Sequence, residues 1–302
     1  MQQYKEITTA LTAGDRRALA RAISIVENEV PGFDQILLSL PAGNAPILGI
    51  TGPPGAGKST LVDALIETYV QQEKKVAVLC VDPSSPFNLG ALLGDRIRMS
   101  QWYNHPHVFI RSLATRGALG GLHPSIIEIT ALLQAAGFDH IIVETVGVGQ
   151  SEVEIAGLAD TTIVVVVPEA GDEVQTMKAG LMEIADIFVV NKGDRPDADS
   201  FLRNLKLMMA PAFALEKNIA ILKTVAAHKE GIEALVTAIN NHLQTTQHQE
   251  KKYWLYTEKV FQLIQKNKMR DISKASLKKD IQFAMQENNF QLYRFTQQYL
   301  QQ

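Results

Sequence analysis

The residues Gly52-Pro-Pro-Gly-Ala-Gly57-Lys58-Ser59 set a lysine and a hydroxyl behind glycines at the spacing G-x-x-x-x-G-K-S. Glycines permit the backbone to turn successive N–H groups inward, and a helix N-terminus adds its dipole, so the pattern builds an anion cradle. Lys58 then places its ammonium on the terminal phosphates of a nucleotide, and Ser59 offers its hydroxyl to Mg²⁺. Gly52, Pro53, Pro54, Gly55, Ala56, Gly57, Lys58, Ser59 and Thr60 are therefore expected to bind phosphate. The apolar run PILGIT before them and the helical pattern TLVDALIETYVQQ after them supply the strand-to-helix setting that this chemistry requires.

Three acidic groups are candidates for work around that phosphate. The apolar run DHIIVE ends in Glu144-Thr-Val-Gly147, where nucleotide hydrolases of this type carry a carboxylate near the metal and a glycine N–H facing the γ-phosphate. Many have Asp there; the longer Glu144 reaches the metal more easily through a water. Asp82 ends a second apolar run, VLCVD, and Asp95 follows in GALLGDRIRM; both are candidates for positioning Mg²⁺ or the attacking water. An Asp before Arg96 and Arg98 also reads as a plain cap or ion pair. The candidate catalytic set is thus Lys58, Asp82, Asp95, Glu144 and Gly147, and the candidate metal set Ser59, Asp82, Asp95 and Glu144. After Gly147 comes Val148, which cannot orient water as the Gln at that step of Ras-type enzymes does, and Gln150 lies two residues on. Slow unaided hydrolysis, raised by a partner, is the expectation.

A second constellation reads a base. Asn191-Lys-Gly-Asp194 stands directly after the apolar run DIFVV. A carboxylate at Asp194 accepts hydrogen bonds from guanine N1–H and its 2-amino group, which adenine cannot supply together, and the stem of Lys192 can lie along the ring. Further on, Thr224-Val-Ala226 takes the place of a common Thr-Ser-Ala, with the Ala226 N–H expected near the guanine O6. The ligand implied is GTP or GDP with Mg²⁺.

These residues sit at the ends of nearly continuous apolar runs: 46–51, 75–81, 139–144, 161–168, 186–191 and 218–224. Strands covered by helices on both faces look like that, and alternation with helical patterns implies an α/β fold with a mostly parallel sheet whose ligand lies beyond the strand carboxyl ends. Before the first run, Lys5 to Glu29 reads as one or two amphipathic helices with Leu11, Leu19, Ile23 and Val26 on the apolar side, ended by Pro31 and Gly32. All 20 glycines and 12 prolines lie at or before Gly231. The remaining stretch reads as helices: Tyr256, Val260, Leu263 and Ile264 share one face, and Leu277, Ile281 and Met285, then Leu292, Phe295 and Tyr299, share another. Two long helices meeting near Asp271 to Ser276 are expected. The domains follow: 1–43, a helical N-terminal extension; 44–245, a P-loop domain; 246–302, a helical C-terminal arm.

Composition excludes several classes. No apolar run approaches the roughly 18 to 20 residues of a membrane span, and the N-terminus has no signal core, so a cytoplasmic, non-membrane protein is expected. Cys80 is the only cysteine, which removes internal disulfides and cysteine-based metal clusters. From Lys251 onward ten Lys and Arg face four Asp and Glu, a net +6, although the whole chain carries −3. A basic helical arm can bind RNA, but an acidic protein body, its own or a twin's, is the better partner, and nucleic acid is set aside.

Taken together, GPPGAGKST, VDPSSPFNLGALLGDRIRM, ETVGVGQSE and NKGD, in this order and over roughly Asn44 to Leu243, resemble the MeaB and MMAA family of G proteins, whose members were also called ArgK or LAO/AO transport kinases. The resemblance implies a P-loop fold of the signal-recognition-particle-like class. It implies mobile switches at Asp82 to Met99 and Glu144 to Glu152, and a third loop at Pro168 to Gly180, with Asp172, Glu173 and Lys178, that communicates with a client. The implied function is a GTP-hydrolysing chaperone that gates adenosylcobalamin loading and protects a cobalamin-dependent acyl-CoA mutase of the methylmalonyl-CoA mutase type. A cobalamin adenosyltransferase is a further implied partner, and a homodimer through the C-terminal helices is the implied assembly. Two alternatives stand beside it: a metallochaperone GTPase, which would need ligand clusters that seven scattered histidines do not form, and a small-molecule kinase, which NKGD disfavours.

Overall fold

A computed structural model of the chain describes residues 2–82, 99–116, 122–146, 153–168, 181–213, 219–245, 249–287 and 290–300. The chain begins with α1 (Gln2–Thr12) and α2 (Arg16–Glu27). They are separate helices because Gly14 takes a positive φ and Asp15 caps the second, accepting from the Arg17 and Ala18 N–H groups. Those two bonds hold the Asp15 carboxyl below the usual carboxylate range. Leu11, Leu19, Ile23 and Val26 are all buried, as their spacing requires. α2 ends before Pro31 and Gly32, as expected, and Gly32, in the left-handed conformation, then opens a further short helix, α3 (Phe33–Leu38).

The central sheet then forms from β1 (Ile47–Thr51), α4 (Lys58–Gln71), β2 (Val76–Asp82), β3 (Val108–Ala114), α5 (Ile126–Ala135), β4 (His140–Glu144), α6 (Val153–Leu158), β5 (Thr161–Val166), α7 (Leu181–Ile184), β6 (Ile187–Val190), α8 (Ala198–Phe213), β7 (Ala220–Lys223) and α9 (Ile232–Thr245). The order across the sheet is β3-β2-β4-β1-β5-β6-β7 and every pairing is parallel. β1, β2, β5 and β6 are buried at every position, which explains their unbroken apolar sequences. Six of the seven strands match the apolar runs. The seventh, β3, escapes that criterion because Arg111 and Ser112 interrupt it. At this sheet edge Arg111 turns to α2, where it meets Glu27 at 2.7 Å and the Ser24 hydroxyl at 3.1 Å.

The order places β1 between β4 and β5, so the chain after β1 leaves the sheet where successive strands begin to be added on opposite sides, the usual ligand crevice of such folds. Register refines this. Ile50 and Cys80 both pair with Glu144, and β2 runs two residues further to Asp82. Three strand ends therefore open on one place.

The described chain divides into two compact units, Met1–Lys252 and Tyr253–Gln302. α10 (Gln249–Lys268) starts in the first, where Lys251 lies 3.2 Å from Asp186 and Lys252 bonds Asp160, acidic residues just ahead of β6 and β5. The second unit holds the rest of α10, α11 (Lys274–Gln286) and α12 (Leu292–Leu300). The junction after α10 falls where expected, with Ser273 capping α11. The expected second long helix is instead two: Gln291 accepts from the Arg294 N–H and starts α12, so the chain breaks there without glycine or proline.

Candidate nucleotide-binding site

Beyond the carboxyl ends of β1, β2 and β4 lies a cavity of about 440 Å³, lined by Pro54, Gly55, Gly57, Lys58, Ser59, Thr60, Val81, Asp82, Glu144, Thr145, Val146 and Lys192. The loop between β1 and α4 takes positive φ at Gly52, Gly55 and Gly57. At Gly52 a side chain is impossible on a second ground, since a Cβ would stand 2.0 Å from the Val165 carbonyl oxygen of β5. Gly57 is the N-cap of α4, so the N-terminal turn of that 14-residue helix, with Lys58, Ser59 and Thr60, lines the cavity. The buried Lys58 ammonium donates to the Gly52 and Pro53 carbonyls at 2.9 and 3.1 Å. A cation and a row of amide donors thus converge on one concavity, which suits a polyphosphate.

Oxygen ligands stand opposite. The Ser59 hydroxyl donates to Glu144 Oε1 at 2.7 Å, both residues are buried, and buried Asp82 lines the same cavity. A hydroxyl with two carboxylates is the donor chemistry of a hard divalent cation, so the residues present fit Mg²⁺. Thr145 secures this wall: its N–H bonds the Ile50 carbonyl and its hydroxyl the Thr51 hydroxyl, each at 3.0 Å. Thr145 was legible as the residue after Glu144 in ETVG, yet its tie to β1 depends on strand order and was not.

Asn191 is buried and joins three loops. Its Nδ2 donates to the Ala56 carbonyl of the phosphate loop at 2.9 Å, while its Oδ1 accepts from the Thr224 hydroxyl and the Ala226 N–H, both at 3.1 Å. A Cβ on Gly57 would meet that Nδ2 at 2.4 Å. The Ala226 N–H, read from sequence as a base contact, is here the donor that holds Asn191, because a buried amide needs partners on both its ends. Lys192 takes φ +55 and lines the cavity, Gly193 bonds the Thr224 carbonyl at 2.8 Å, and Asp194 stands exposed. The structure therefore brings together the phosphate loop, Asp82, Glu144 and the Asn191 loop. Asp95, Gly147 and Gln150 lie outside the described residues, as does the proposed third loop beyond Pro168, including Asp172, Glu173 and Lys178.

A parallel α/β sheet with a glycine-rich phosphate loop at its central strand and Asn-Lys-Gly-Asp beside it defines the chain as a P-loop GTPase. Residues 19–280 match the family model described as Methylmalonyl Co-A mutase-associated GTPase MeaB, and the chain belongs to that family. A Pyrococcus horikoshii protein carrying the provisional name of a GTPase is 50% identical over 252 residues, 80% of this chain and 78% of that one. GTPase ArgK of Escherichia coli is 36% identical over 265 residues, 81% and 80% of the two chains. The crystal structure of a LAO/AO transport system kinase superposes with a TM-score of 0.70 at 27% identity, covering 100% of this chain and 99% of that one. The fused isobutyryl-CoA mutase of Cupriavidus metallidurans is 42% identical over 201 residues, 65% of this chain and 18% of its own length. Among the described residues no helix is long and apolar enough to cross a membrane.

Proposed function

We propose that this GTPase is a chaperone of a cobalamin-dependent acyl-CoA mutase of the methylmalonyl-CoA mutase type, gating adenosylcobalamin loading and protecting the enzyme from inactivation. The observation that carries the reading is that 201 residues of this chain have a counterpart inside a fused isobutyryl-CoA mutase, so a domain of this kind is built onto such an enzyme in another organism. The family description, which couples the GTPase to methylmalonyl-CoA mutase, supports the same client. A cobalamin adenosyltransferase would be the donor of the cofactor being gated. The assembly proposed is a homodimer whose arm, 246–302, extends a GTPase domain at 44–245 preceded by the helical 1–43.

Within the site, the phosphate loop N–H groups and Lys58 hold and polarise the β and γ phosphates, which moves charge away from the breaking bond. Ser59, Glu144 and Asp82 would hold Mg²⁺, which when bound neutralises phosphate charge. Asp194 selects guanine through paired acceptors, and Lys192 covers the ring. Asn191 keeps the base loop and the phosphate loop in one register, so both ends of the nucleotide are measured from a common point. Asp95 and Gly147 complete the proposed catalytic set. Val148 leaves the attacking water without the usual glutamine, so hydrolysis by the chain alone is slow and the client raises it.

Purified chain is mixed with a methylmalonyl-CoA mutase, and GTP hydrolysis and complex formation are followed with GDP and with a non-hydrolysable GTP analogue. Stimulated turnover and nucleotide-dependent complex formation are expected. Full turnover by the isolated chain, unchanged by the mutase, would overturn the reading.

A further inference from the structure

The chain leaves the cavity at Asp82 and is described again from Met99, and at that point it is fastened to the helix of the phosphate loop. Met99 is buried in the core, and a 3-10 turn, Ser100–Trp102, follows. One oxygen of Asp63 on α4 accepts both the Trp102 indole N–H, at 2.7 Å, and a Gln101 amide N–H, at 2.9 Å. Asp63 lies four residues after Ser59, so the two occupy one face of the helix. The indole has a single donor hydrogen and the acceptor is a carboxylate, which makes the bond directional and charge-assisted. Beyond it, the Trp102 ring meets His105 edge-on at 5.6 Å, and Arg16 at the start of α2 donates to the carbonyls of His105 and Val108.

Pairing of the sheet does not require this arrangement. β3 is aligned with β2 by its own ladder from Val76 and Val108 to Asp82 and Ala114. Neither Asp63 nor Trp102 lines the cavity. What the contact fixes is the place where the connection from Asp82 comes back, relative to the helix that presents Lys58 and Ser59.

The geometry points to Asp63 and Trp102 as a positioning pair for GTP hydrolysis, which references the returning end of the Asp82-to-Met99 connection to the phosphate-site helix. The inference rests on the GTPase activity of the family and on no particular client. Because the pair is outside the cavity, its loss slows turnover and spares nucleotide affinity.

Single-turnover GTP hydrolysis and GDP affinity are measured on the full chain for Asp63→Ala, Asp63→Asn and Trp102→Phe. Asp63→Ala and Trp102→Phe are expected to lower the hydrolysis rate about tenfold, the cost of a small misplacement, with GDP affinity held within about twofold. Asp63→Asn keeps an acceptor oxygen for the indole and retains most of the rate. A Trp254→Phe background leaves Trp102 as the sole indole. There, emission shifts between GDP and a non-hydrolysable GTP analogue, and Asp63→Ala abolishes the shift. Unchanged turnover in Trp102→Phe, affinity falling in parallel with turnover, or emission indifferent to nucleotide each overturns the proposal. Should Asp63→Ala fail to fold, Trp102→Phe and the emission of the parent decide it.

Discussion

The two compact units treat apolar side chains in opposite ways. Among the described residues, four large hydrophobic side chains are exposed in Met1–Lys252, and twelve in the 50-residue unit Tyr253–Gln302. α11 has no buried residue at all. Trp254, Phe261 and Tyr293 are 53%, 63% and 77% exposed, although full burial of a side chain of this kind stabilises by about 1.5–3 kcal/mol. The first unit closes a core around its own sheet; the second leaves apolar helical side chains exposed, the surface on which the proposed homodimer would form. In the proposed homodimer the second unit is completed by association, and its helices contain no glycine or proline.

A truncation ending at Thr246 tests this contrast most severely. The shortened chain is expected to be monomeric by light scattering and still to bind GDP; a shortened chain that stays dimeric would show that the tail's apolar surface serves something else. Next in size, Asp194→Asn should weaken GTP relative to xanthosine triphosphate by about 10- to 100-fold, since a charged hydrogen-bond pair is worth about 1.5–3 kcal/mol. This change leaves assembly untouched, so a shift in oligomeric state would break the separation of the two regions.

Lys252→Ala removes the ion pair to Asp160 at the root of α10. Both partners are partly exposed, so about 1 kcal/mol at most is lost, which corresponds to a melting shift of about 2–4 °C for a unit of this size. A larger drop would mean that α10 contributes more to the first unit than its root contacts explain. The smallest effect concerns pH. His140 stacks on buried Tyr69 with centroids 4.2 Å apart, and burial lowers its pKa from 6.5. With the folded value depressed, the unfolded chain binds the extra proton first. Stability is full above pH 6.5, falls as pH drops below it, and levels off under the folded pKa. His140→Phe should flatten that slope in denaturation midpoints; an unchanged slope would place the acid sensitivity elsewhere.

Most of the first unit was legible because burial writes itself into sequence. Six strands were readable as apolar runs, and the phosphate loop, Glu144 and Asn191 followed at their carboxyl ends. β3 was not, since Arg111 serves the N-terminal helices and so spoils the run. The meeting of Ser59 with Glu144 needed the strand order, which no local pattern encodes. Asn191 was readable as part of a base motif but not as the tie between three loops, because two of its three partners are backbone groups, at Ala56 and Ala226, which carry no side-chain signature. In the tail, helical faces were legible, whereas the break before α12 depends on the Gln291 side chain acting as a cap, a role that many glutamines never take.

The Asn191 amide lies where a Cβ on Gly57 would need to be. Two signatures that are ordinarily scanned as independent words therefore share a letter in space: the last glycine of the phosphate word is demanded partly by the first asparagine of the base word. A variant library that randomises positions 57 and 191 separately would miss this dependence, whereas a paired library would separate the clash, which a smaller residue at 191 relieves, from the φ of +85° that strains any side chain at 57 in every background.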